Sequence, residues 1–106
     1  MKAERELAKA KYFDFGIEDH GFPFLFGHFE YDRAGSSQGI GNILTMEFLM
    51  AFLEVFDVEQ LHQVNGKSCW VTHTNDKILK IEPLHRKEGK PFDIESFTRR
   101  AQAKEQ

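Results

Sequence analysis

Cys69, His73 and Asp76 are the residues whose types come nearest to a catalytic set, a thiol nucleophile with an imidazole base and a carboxylate to orient it. Their spacing tells against that chemistry. Ser68 to Thr74 alternates as a strand, where residues four apart stand about 13 Å from each other at ~3.3 Å per residue. A nucleophile and its base need hydrogen-bond reach, about 3 Å. Cys69 is therefore expected as a small packed residue. The histidines His20, His28, His62, His73 and His85 are scattered singly, without the HxH, HExxH or CxxC spacings of a metal site. The expectation is a protein with no catalytic residues, no metal and no cofactor.

The segment Gly35 to Asn42 (GSSQGIGN) has the small residues of an anion-cradling loop ahead of a helix. It matches neither the P-loop, which needs a lysine after its last glycine, nor the GxGxxG motif that follows a strand. It reads as a connector, or as a loop that contacts a protein partner. The candidate partner-binding residues are Glu30 and Asp32, the loop residues Ser36, Ser37, Gln38, Gly39 and Asn42, and the helix residues Met46 and Met50. Methionine arcs recur at adaptable interfaces, so self-association is a second use for the last two.

Strong helix formers at residues 2–10 predict a short N-terminal helix or arm. From Tyr12 the period becomes two, with Phe13, Phe15 and Ile17 on one side, which predicts a strand. A two-residue turn at His20-Gly21 would pair Ile17 with Phe24, Phe15 with Phe26 and Phe13 with His28. Residues 33–42 are expected as a loop. Thr45 caps a helix through Phe56, with Leu49, Phe52, Leu53 and Phe56 inward, Phe48 beside them and Glu47 outward. Asp57 to Gln60 resembles a capping box for a second short helix ending at Asn65-Gly66. Ser68–Thr74 and Ile78–Leu84 form a second hairpin, with Trp70 opposite Ile81 and Thr72 opposite Leu79. Residues 85–91 are a charged linker, and Asp93 caps a last helix, Ile94–Ala103.

The predicted fold class is α+β: an antiparallel sheet of about four strands, in two hairpins, packed on a central amphipathic helix with short terminal helices. One domain of 106 residues is expected, with residues 1–11 as the arm, 12–84 as the core and 85–106 as linker and helix. Eleven phenylalanines make the core aromatic. No apolar run is long enough to span a membrane, the first residues lack a signal peptide's apolar stretch, and the single cysteine suits a reducing compartment. Cytoplasmic placement in a bacterial host is the expectation.

Charge is unevenly laid out. Residues 1–11 carry +2, residues 12–76 carry −8 and residues 77–106 carry +3. The acidic block suits a basic protein partner and disfavours direct contact with nucleic acid, whose phosphates dominate affinity. Four stretches, Gly27-His28-Phe29-Glu30, Gln38-Gly39-Ile40-Gly41-Asn42, Phe48-Leu49 through Leu61, and Gly66-Lys67 through Trp70-Val71, resemble small uncharacterised accessory proteins of bacteriophages and prophages. The likeness spans about residues 24–84. It implies a phage-type protein that binds a host protein stoichiometrically and inhibits a defence system such as CRISPR-Cas. The alternative is an accessory protein of phage replication or recombination that touches nucleic acid through its basic ends.

Overall fold

A fourteen-residue strand, β1 (Glu4–Ile17), runs through the middle of one antiparallel sheet. With it lie β2 (Pro23–Tyr31), β3 (Ser37–Ile43), β4 (Ser68–His73), β5 (Ile78–Pro83) and the two-residue β6 (Phe92–Asp93). Their order across the sheet is β3-β2-β1-β4-β5-β6. Among the described residues the α-helices are α1 (Met46–Phe56) and α2 (Ile94–Lys104). The computed structural model describes residues 2–33 and 35–104. The class is α+β as expected, but the sheet has six strands rather than about four.

Two segments account for the difference. The sequence predicts a short helix or arm over residues 2–10, yet from Glu4 onward they form the first half of β1, paired with β4 from Glu4–His73 to Lys9–Ser68. Ala8 and Ala10 point into the core and Arg5, Leu7 and Lys9 point away from it. With only alanines inward, the segment carries no apolar stripe. The pairing of two neighbouring strands overrides its helix propensity. The expected loop at 33–42 is mostly β3, which pairs with β2 from Phe24–Ile43 to Glu30–Ser37. Its glycines are fitted to aromatic neighbours: a Cβ on Gly41 would stand 2.8 Å from the Phe24 ring.

The first hairpin also differs in register. Glu18 N–H donates to the Phe22 carbonyl, which leaves a three-residue loop closed by Gly21 at φ +85°. Ile17 therefore opposes Pro23, and Phe15 opposes Leu25. Further down, Tyr12 at φ +59° makes a bulge that shifts the ladder between Lys11 and Asp14. The inward positions change from even (Ala8, Ala10) to odd (Phe13). Asn65 seals the bulge, its Oδ1 accepting from Phe13 N–H at 2.7 Å and its Nδ2 donating to the Phe13 carbonyl at 3.2 Å. Phe15 and Ile17 lie beyond the helix cover and are 57% and 71% exposed. The second hairpin closes through Thr74–Lys77 as expected and His73 opposes Ile78, but an irregularity between Thr72 and His73 shifts the ladder, so Trp70 opposes Glu82 and Val71 opposes Ile81, one residue from the expected register.

α1 begins where predicted, with Thr45 Oγ1 accepting from Phe48 N–H at 3.1 Å. Its buried face is Phe48, Phe52, Val55 and Phe56, with Leu49 and Leu53 at the flanks. Asp57 does not start a new helix; it ends α1 in the left-handed region at φ +52°. A single 3-10 turn, Leu61–Val64, follows, and Gly66 has the expected positive φ of 90°. The charged segment 85–91 docks on the end of α1, where Lys90 N–H donates to the Glu54 carbonyl. Asp93 Oδ1 accepts from Ser96 N–H at 2.9 Å and caps α2. All of this covers one face of the sheet. A chain of ring contacts, Phe29–Phe13–Phe52–Phe48–Phe92, ties β2 and β1 through α1 to β6. The opposite face is open among the described residues.

Candidate partner-binding face

The open face is read from the ladders. β2 presents Phe24, Phe26, His28 and Glu30, and β3 presents Ser37, Gly39, Gly41 and Ile43 beside them. β1 adds Arg5, Leu7, Lys9, Lys11, Tyr12 and Asp14, and β4 adds Trp70. Tyr12 stands edge-on to His28 with ring centroids 6.2 Å apart, and Arg5 lies 4.3 Å over the Trp70 ring. Of the nine large apolar side chains left exposed among the described residues, eight belong to β1, the first hairpin, β3 or the start of α1. An unburied apolar surface concentrated at one end of a small protein marks an interaction site.

The predicted binding residues divide across this end. Glu30, Asp32, Ser36 and Ser37 converge on a recess of about 580 Å³ between β1 and the β2–β3 connection, which Lys9 and Ser68 also line. Gly39 lies on the open face. Gln38 turns inward instead, accepting from the Tyr31 hydroxyl at 2.5 Å and donating to the Thr74 carbonyl at 3.2 Å. Asn42 is half-buried on the covered side, and Met46 and Met50 are exposed on α1. The acidic block is not one patch. Glu47, Glu54, Asp57 and Glu59 stand on or after α1, whereas Glu30 shares the open face with Lys9 and with Lys11, whose Nζ is 4.0 Å away. The basic ends are likewise dispersed: Lys90 pairs with Glu54 and Arg99 with Glu95. The residues the sequence did not flag are Tyr12, Phe26 and Trp70, because their place on the open face follows from register and bulge.

A second cluster lies on the covered face. His73, 7% exposed, stacks on Tyr31 at 4.4 Å and has Nε2 2.5 Å from Glu6 Oε2 and Nδ1 3.1 Å from the Thr74 carbonyl. Arg33 lies 3.6 Å from the same carboxylate. Burial, with the Glu6 charge second, pushes the Tyr31 hydroxyl above its ordinary range. Ligand atoms of Glu4, Glu6 and His73 lie within 4.8 Å of one another. Donors around a shared ion would stand about 3 Å apart at metal–ligand bonds of about 2.1 Å. Here His73 and Glu6 bond each other directly, so the cluster is a latch between strands. His73 thus finds its acid on β1, far from Cys69 in role. The Cys69 thiol is fully buried, which pushes its pKa up to about 12 and keeps it protonated.

No family model matches the chain, and neither the curated proteins nor the solved structures contain a match. No helix among the described residues is long and apolar enough to cross a membrane.

Proposed function

We propose that this protein is a non-catalytic binding module that captures another protein on its open sheet face. The observation that carries the reading is Tyr12. Its ring is 72% exposed, yet its backbone holds a left-handed conformation at φ +59°. A side chain there costs about 1 kcal/mol or more relative to glycine. Little is recovered by the one edge contact with His28. Strain kept at an exposed aromatic residue, on the same face as Phe24 and Phe26, suits a contact anchor. Glu30 and Asp32 at the rim favour a partner with basic groups, through association rate and selection more than through final affinity. On the phage resemblance, the partner is a host protein such as a component of a CRISPR-Cas complex, and binding inhibits it.

One feature favours a second reading. The basic residues of the N-terminal segment are not on an arm; Arg5, Lys9 and Lys11 run down the centre of the open face among Tyr12, His28 and Trp70. Aromatic rings interleaved with bases on an open antiparallel sheet can stack and neutralise a single strand of nucleic acid. A tagged pull-down from bacterial lysate, with and without nuclease, separates the two. The protein reading expects a stoichiometric partner that survives nuclease. Capture that nuclease abolishes, with a single-stranded oligonucleotide bound steeply less well as salt rises, would transfer the function to nucleic acid.

A further inference from the structure

β3 is an edge strand with none of the usual protection. Its sequence, SQGIGNI, has no charge and no proline, and no bulge interrupts its pairing with β2. The other edge, β6, is two residues long and runs directly into α2. The direction of β3's backbone groups follows from its bonds. Tyr31 N–H donates to the Ser36 carbonyl and Leu44 N–H to the Pro23 carbonyl, in the same register as the Phe29–Gln38 and Leu25–Asn42 pairs. Even-numbered residues therefore bond β2. Ser37, Gly39, Gly41 and Ile43 point their N–H and C=O groups out of the sheet.

We infer that two copies of this chain associate through β3, antiparallel about a twofold axis at Ile40. With that axis, Ser37 meets Ile43 of the second copy and Gly39 meets its Gly41. All four outward residues of each copy then find a hydrogen-bonded partner. The two Ile40 side chains face each other on the covered side, and Gln38 faces Asn42. A groove of about 460 Å³ between β3 and α2, lined by apolar Ile40, Ile78 and Ile94 and also by the oppositely charged Asp76, Lys77, Glu95 and Arg99, leaves room there for the second Ile40. Charge selects a second copy on this edge. A twofold contact sets like residues near one another, and a strand without charged residues can meet its own copy with no like-charge pair in the ladder. The dimer would continue the sheet from six strands to twelve and leave both open faces free, so it does not depend on the partner proposed above.

Sedimentation velocity on the full chain over a wide concentration range tests this. The expected result is a concentration-dependent dimer of twice 12.3 kDa. Gly39→Pro deletes an outward N–H and leaves the β2 ladder whole, and a Cβ there has His28 as its nearest neighbour at 3.6 Å. It should weaken the dimer at least tenfold with the thermal midpoint unchanged. If the proline unfolds the chain, Gly39→Lys serves instead, since it sets two lysines diagonally across the axis and is expected to give monomer. A wild-type monomer at every concentration would overturn the inference, as would open-ended assembly or a dimer indifferent to the substitutions.

Discussion

Cys69 shows how position decides what a reactive side chain can do. Its thiol is sealed between β1 and β5, and burial holds the pKa at about 12. An unfolded thiol ionises near 9, so the folded state keeps a proton that the unfolded state gives up. Cys69's contribution to stability is whole below pH 9 and is lost as pH rises toward 12. Between pH 9 and 10 the loss should come to about 1 kcal/mol, because the unfolded thiol is only half ionised at the start of that interval, before the raised Tyr31 adds its own in the same direction. Denaturant melts across that interval should show a shallower decline in Cys69→Ala, and a thiol reagent should label Cys69 only on unfolding. Asn65 is the other residue whose role is local and strict. Asn65→Ala leaves the Phe13 N–H and carbonyl without partners at the bulge and should cost roughly 1–3 kcal/mol. A smaller loss, with the Tyr12 region unchanged in amide exchange, would mean that water replaces the amide.

At the scale of elements, α1, α2, β2, β4 and β5 were legible because their signals are local: a capping threonine or aspartate, a helical apolar spacing, an alternation. What escaped was set by partners distant in sequence. Residues 4–10 are helix formers turned into strand by two neighbours, and β3 is a glycine-rich segment held by Phe24 across the ladder. One extra loop residue before Gly21 moved the first hairpin by a register step, which sets Phe15 opposite Leu25 and Ile17 opposite Pro23, and both stay exposed because they lie beyond the helix cover. The candidate site was only half legible for the same reason. Glu30, Asp32, Ser36 and Ser37 converge, but Gln38 is spent on Tyr31 and Thr74. The helix face is testable by substitution. Phe52→Ala empties a site closed by Phe13, Phe48 and Phe56 and should cost about 3–5 kcal/mol in a denaturant melt. Glu47→Ala, on the exposed side, should cost less than about 1 kcal/mol, which is its share of the helix dipole. Similar losses at both positions would misplace the buried face of α1.

The whole molecule is a sheet with one face packed and one face offered. Its core is dense with rings and leaves no buried side-chain polar atom unsatisfied among the described residues, while its open end carries aromatic groups that folding alone does not need. Tyr12 is where stability and function pull in opposite directions, so Tyr12→Gly tests the account most directly. Glycine relieves the left-handed backbone, and the thermal midpoint should hold or rise. Affinity for the captured partner, measured by calorimetry on the purified pair, should fall at least tenfold with the loss of the ring. Unchanged affinity in a stable Tyr12→Gly protein would contradict the claim that the open face is the binding surface.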